Sequence, residues 1–168
     1  LTQHLDDAVK GFKEGLRNLN VDVTYHYLNA DGNIAELPKL ADILATKKVD
    51  LIFACSTPAA KAAVALTENI PVLFTPVFDP VSVNLVESMN KPNGKATGMS
   101  GMVAAPDKLA FIKNILPNAK KIALLYHNAD DNSVIEKNNI LKNNRKIFHQ
   151  CNRINFCDIC TTKCNFPT

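Results

Sequence analysis

The chain has 168 residues, 19 Lys+Arg against 16 Asp+Glu, 46% hydrophobic residues, no Trp and five Cys. That length suits one domain, or one lobe of a two-lobed protein with part of the next, and it is enough to bury a real core. A formal charge of +3 without a Lys/Arg-rich block argues against nucleic acid as a partner, and the longest apolar runs, residues 49–55 and 71–77, are too short for a membrane-spanning helix.

The chain opens Leu-Thr-Gln-His, without Met, basic region or apolar core. No signal peptide is read there, and Leu1 is expected to be an internal residue of its gene product. Leu5, Val9, Phe12, Leu16 and Leu19 follow helical spacing, with Asp6 and Asp7 where carboxylates suit the helix dipole. Residues 21–28 alternate Val21, Val23, Tyr25 and Tyr27, which predicts a strand with His26 outward. Asp31-Gly32-Asn33 is a turn, and Leu37, Leu40, Ala41 and Leu44 form the apolar stripe of a second helix. Residues 49–55 (V-D-L-I-F-A-C) read as a parallel strand buried on both faces. Ser56-Thr57-Pro58 then supplies cap chemistry for an Ala-rich helix up to Leu66. Residues 70–75 predict a strand, 79–88 a helix opened by Asp79-Pro80, 97–99 a short strand, 106–116 a helix and 122–126 a further strand. Strands alternating with helices imply an α/β fold with a parallel sheet flanked by helices.

In such sheets ligands bind beyond the carboxyl ends of the strands, where loops feed helix N-termini. Two loops fit that description. Ser56, Thr57, Pro58 and Ala59 place two hydroxyls and free helix N–H groups at a strand end, suited to a carboxylate. The alternative reading is that Ser56 or Thr57 only caps its helix. In the second loop Asp79 is either an N-cap or the partner of a ligand ammonium, and Phe78 offers an aromatic face. Adjacent carboxylate and ammonium sites point to a zwitterion such as an amino acid. No GxGxxG, P-loop or GxSxG motif occurs. Cys55 reads as a small buried hydrophobe rather than a nucleophile, and Asp130, Asp131, Asn132 and Ser133 read as a helix start rather than a metal loop.

The runs K-K-V-D-L-I-F-A-C-S-T-P-A-A (47–60), I-P-V-L-F-T-P-V-F-D-P-V (70–81), T-G-M-S-G (97–101), I-L-P-N-A-K-K-I-A-L-L-Y (115–126) and N-S-V (132–134) occur in fixed order. Together they resemble the ABC-transporter substrate-binding proteins of the tryptophan/tyrosine-type family, which have the type I periplasmic-binding-protein fold. The opening L-D-D-A-V-K-G-F-K-E-G-L (5–16) is similar to that family's first helix. The resemblance implies an N-terminal lobe over residues 1–101 lacking its first strand, then a hinge-crossing helix and the start of a second lobe over 102–137. It also implies a non-enzymatic role without a cofactor, an amino-acid ligand held between two lobes, a membrane permease as partner, and a periplasmic or otherwise extracytoplasmic, lipid-anchored setting. Ser56, Thr57 and the following N–H groups would hold the ligand carboxylate, Asp79 its ammonium, and Asn132 and Ser133 would close from the second lobe. With so little of that lobe present, the strand at 122–126 is expected to have two unpaired edges. Two other classes share parts of this pattern: the effector-sensing domain of a transcription regulator, and a small α/β enzyme using Cys55.

Composition breaks near Glu136. Residues 1–136 hold 13 basic and 15 acidic residues, whereas 137–168 hold six basic, one acidic, seven Asn and four of the five Cys. The segment 138–168 therefore reads as an aberrant Asn/Cys-rich tail, of the kind a reading-frame shift produces. Cys151, Cys157, Cys160 and Cys164 are the competing metal reading, a C-x5-C-x2-C-x3-C spacing suited to zinc or iron–sulfur. Disulfides in an oxidising compartment are the third.

Overall fold

The apolar stripe that begins at Leu5 forms α1 (Gln3–Asn18) in the computed structural model, which describes residues 3–67, 69–92, 94–119, 121–147 and 155–160. The chain divides into two units, Leu1–Gly101 and Met102–Thr168. After α1 the first unit continues with a 3-10 turn (Ile34–Glu36), capped by the Asn33 side chain, which accepts from the Ala35 N–H. It then adds α2 (Leu37–Thr46), β1 (Ile52–Cys55), α3 (Thr57–Leu66), β2 (Val72–Val77) and β3 (Ala96–Ser100). The strands form one parallel sheet in the order β1-β2-β3, with Cys55 opposite Thr75 and Val77 opposite Ser100.

Alternation sets the packing. Ile52, Ala54, Val72, Phe74 and Val77 are buried together with Ala60 and Ala63 of α3. Phe53, one residue out of step with Ile52 and Ala54, stacks on Phe12 of α1 with ring centroids 4.1 Å apart. A strand presents successive side chains to opposite faces, so α1 lies on the face that Phe53 presents. Gly98 lets β3 run close beside β2: a Cβ there would stand 2.6 Å from Phe74 Cδ2 and closer still to the Phe74 carbonyl.

Two predicted elements of this unit do not form. Residues 21–28 carry no regular secondary structure and pair with no strand among the described residues, and Tyr27 is 57% exposed. A strand exists only through its ladder partner, and the free edge of β1 lies across a groove of ≈ 1130 Å³ from this segment. Residues 79–88 form consecutive turns instead of a helix. Asn84 takes φ 58°, and the N–H groups of Leu85 and Val86 both return to the Pro80 carbonyl, which closes the segment into turns where a helix would have continued. Val83, Leu85 and Val86 are buried by that turn. The tertiary gain overrides helical propensity.

The second unit contains α4 (Ala105–Ile115), β4 (Lys121–Tyr126), α5 (Asp131–Ile147) and β5 (Asn155–Cys160). Ala105, Leu109 and Ile140 form its core, with Ile122 and Leu124 packed against them. The Lys108–Glu136 ion pair joins α4 to α5. The expected boundary at 137/138 falls inside α5, which runs through it without interruption. The strand at 122–126 does not have two open edges either. β5 pairs with β4 in parallel along six positions, from Lys121 opposite Asn155 to Tyr126 opposite Cys160. A helix is specified by its own backbone bonds, so an Asn-rich composition does not stop α5 where the charge balance changes. Among the described residues no helix is long and apolar enough to cross a membrane.

Candidate ligand-binding site

β1 and β2 are parallel neighbours, so the loops that leave them emerge at the same end of the sheet. At β1 the change from strand to helix happens at a single residue. The Ser56 N–H still donates to the Thr75 carbonyl in the sheet, at 3.2 Å, while the Ser56 carbonyl already accepts from the Ala60 N–H of α3, at 3.0 Å. Meeting both partners holds Ser56 at φ 101° and ψ 157°, a region that is essentially glycine's and costs a serine about 1–3 kcal/mol. Its Oγ accepts from the Ala59 N–H at 3.4 Å, closing the helix start. Pro58 lies in the first turn of α3, where a missing N–H costs nothing. Thr57 is buried and Ala59 half-buried. The capping read from the sequence is present, and the strain beside it is something no local pattern revealed.

The second loop follows β2. Asp79 is buried, 9% exposed, and its carboxylate is engaged by Ser82: Oδ1 accepts from the Ser82 N–H at 3.1 Å and Oδ2 from the Ser82 hydroxyl at 2.6 Å. Those bonds fix the carboxylate's orientation and leave each oxygen with further acceptor capacity. Phe78 is half-buried, and its carbonyl accepts from the Ser100 hydroxyl at the end of β3, at 2.7 Å. Ser56, Phe78, Asp79 and Ser100 thus stand at the carboxyl ends of three adjacent strands. Ser82 and Ser100 were not singled out from the sequence. The Asp-x-x-Ser spacing of a capped turn was the available signal for Ser82, whereas Ser100 has none.

In the second unit Asn132 and Ser133 occupy the first turn of α5, after β4. The Ser133 hydroxyl and N–H both donate to Asp130 Oδ2, at 2.7 and 3.0 Å, the same Asp-x-x-Ser pairing as Asp79–Ser82 with one carboxylate oxygen serving both donors instead of two. Cys55 ends β1, where burial pushes its thiol up from the ordinary value, with the Asp6 carboxylate adding to the effect. That is the reverse of what activates a nucleophilic thiol. Cys157 and Cys160 occupy register positions in β5 opposite Ala123 and Tyr126. Cys151 and Cys164 lie outside the described residues. Among the described residues no group of three or more His, Cys, Asp or Glu is placed to hold a metal ion.

Comparison with known proteins matches residues 2–149 to the family model described as ABC transporter substrate binding protein. The chain belongs to that family. It is 35% identical over 142 residues to a "Tyrosine-binding protein" of Clostridioides difficile (strain R20291), covering 81% of this chain and 41% of the relative. Among solved structures it resembles an ABC domain in complex with L-Trp from Streptococcus pneumonia, at 25% identity and TM-score 0.81, covering 96% of this chain and 54% of that one. A conserved domain protein of Vibrio cholerae gives 29% and 0.81, covering 95% and 53%. The ligand-free, open structure of a Clostridium difficile substrate binding protein with adhesive properties gives 29% and 0.74, covering 97% and 55%. The α/β substrate-binding fold expected from the sequence is therefore the fold observed. The chain spans about half the length of the solved relatives, and less of the curated one.

Proposed function

We propose that this chain is part of the solute-binding component of an ABC importer whose ligand is an amino acid with an aromatic or apolar side chain. One observation carries the reading: a strained helix start at Ser56 and an oriented, buried carboxylate at Asp79 leave neighbouring parallel strands at the same end of one sheet. The N-terminus of α3, with Ser56, Thr57, Pro58 and Ala59, favours the ligand carboxylate. Asp79 favours its ammonium, and Phe78 offers an aromatic surface for the side chain. Asn132 and Ser133 are the contacts assigned to the second unit. The names of the relatives that bind tyrosine or hold L-Trp support this ligand class.

Family membership supports the remaining parts of the proposal. Binding is non-covalent, and a raised Cys55 thiol gives no support to a covalent step. The partner in this reading is a membrane permease that recognises the liganded form, and the setting is extracytoplasmic, with a lipid anchor as part of the same proposal.

The test is calorimetric titration of a full-length protein containing both lobes with L-Tyr, L-Trp and L-Phe. A Kd in the micromolar range is expected, roughly −8 kcal/mol. Asp79→Asn should weaken L-Trp by about tenfold or more and leave indole-3-propionate, which lacks the amine, unchanged. Absence of heat with every amino acid would remove the proposal, and equal losses for both ligands would remove the role of Asp79.

A further inference from the structure

β2 leaves the sheet out of step with the way it enters. Phe74 stands opposite Gly98 but Val77 stands opposite Ser100, so three steps along β2 match two along β3, and the extra residue falls at Thr75–Pro76. A proline has no N–H to give to a ladder, which suits Pro76 to such a bulge. One inserted residue exchanges the two faces of the strand beyond it. Val72 and Phe74 are buried, and the next buried residue is Val77 rather than Pro76. The bulge thus decides which way Phe78 and Asp79 leave the sheet.

The end of β3 pins that exit twice. The Gly101 N–H donates to the Val77 carbonyl at 2.8 Å, and the Ser100 hydroxyl donates to the Phe78 carbonyl at 2.7 Å. The Phe78 carbonyl belongs to the planar peptide unit that joins Phe78 to Asp79. Holding that plane holds ψ of Phe78 and φ of Asp79, the two rotations that set the direction of the Asp79 Cα–Cβ bond. Ser82 holds the other end, since both carboxylate oxygens of Asp79 accept from it. Asp79 is therefore fixed at its backbone by β3 and at its oxygens by its own turn. The Phe78 side chain leaves the backbone ahead of the held peptide and depends on it less. All of these groups lie in the first unit, Leu1–Gly101.

We propose that Ser100 is a positioning residue of the ligand site: by holding the peptide between Phe78 and Asp79 it aims the Asp79 carboxylate at the ligand ammonium, and so sets the preference for ligands that carry an α-amino group. The proposal rests on the reading of Asp79 as the ammonium partner, and two measurements separate the two ideas. The first is calorimetric titration of the full-length protein and its Ser100→Ala and Ser100→Thr variants with L-Trp and with indole-3-propionate. Ser100→Ala should weaken L-Trp about tenfold and indole-3-propionate less than about twofold, because only the ammonium pair depends on the carboxylate's aim. Ser100→Thr keeps the hydroxyl on a residue suited to a strand and should restore the ratio. Equal weakening of both ligands, or of neither, overturns the proposal. The second measurement uses no ligand: amide hydrogen exchange of the 168-residue chain at Ser82, whose N–H reports on the carboxylate, and at Gly101, whose N–H reports on the strand pairing. Ser100→Ala should speed exchange at Ser82 about tenfold and leave Gly101 unchanged. A Ser82 amide that does not respond, or that responds only together with Gly101, overturns the proposal as well. A loosened Ser82 in a protein whose wild type gives no heat with L-Trp would sustain the fixing of Asp79 by Ser100 and remove the ligand reading alone.

Discussion

Asp79 in the first unit and Asp130 in the second make the same turn in different surroundings. Each carboxylate accepts from the N–H and hydroxyl of the serine three residues on, with matching distances. Asp79 follows a strand with neighbours on both sides and is buried, whereas Asp130 follows β4, which has β5 as its partner, and is exposed. The sheets differ likewise. β2 lies between β1 and β3, and Phe74 and Val77 are almost wholly enclosed. In β4, Ile122 and Leu124 pack on Leu109 and Ile140, while Leu125 on the opposite face is 65% exposed. The turn is closed by bonds spanning three residues and needs no surroundings. Its electrostatic worth depends on them entirely.

The largest expected effect tests the denser sheet. Gly98→Ala should cost about 3 kcal/mol in urea unfolding, because the new methyl meets the backbone of β2 rather than a movable side chain. Leu109→Ala should cost the second unit about 2 kcal/mol or more, since the side chain is fully buried against Ile140, Ile122 and Leu124. Melting followed by probes in each unit should show the loss confined to the second; a shared loss would mean that the two units unfold as one.

The paired turns sharpen the comparison directly. Ser82→Ala should cost about 1.5 kcal/mol, since it leaves a buried carboxylate short of a donor, while Ser133→Ala should cost about 0.5 kcal/mol. Equal costs would show that burial does not set the value of this turn. Ser56→Gly should stabilise the isolated chain by about 1 kcal/mol, because relief of the left-handed strain exceeds the small loss of the cap. The same change should weaken ligand binding in the full-length protein, so thermal melting and calorimetry are expected to move in opposite directions.

The smallest effect is kinetic. With its pKa raised by burial and by Asp6, Cys55 has less thiolate at neutral pH than an ordinary thiol. Iodoacetamide should therefore alkylate it several-fold more slowly than a free cysteine. The rate should still be climbing with pH beyond 9.0, where an unperturbed thiol is already half ionised. Asp6→Asn should bring the rise to lower pH.

Much of this was legible in the residues themselves. The stripe through Leu5, Val9 and Phe12 became α1, and the apolar runs ending at Cys55 and Val77 became adjacent strands. Asp79 was visible as a capping or ligand-binding carboxylate, although not the serine that orients it. Residues 21–28 and 79–88 misled for opposite reasons. The first has a strand's alternation but no strand beside it, and the second has a helix's opening but a better use for its valines in the core. The charge and Asn imbalance after Glu136 marked a compositional change that α5 crosses without responding.

Sequence alone determined the elements whose bonds are local: helices with an apolar stripe, a proline-started α3, and turns closed by an aspartate and a nearby serine. These depend on spacing of a few residues, and spacing is what a sequence records. Tertiary structure decided which strand edges are paired, that Ser56 must take a glycine's conformation, and that Asp79 is enclosed while Asp130 is not. Each of those rests on what lies alongside in space, in segments tens of residues away, where no local pattern can reach.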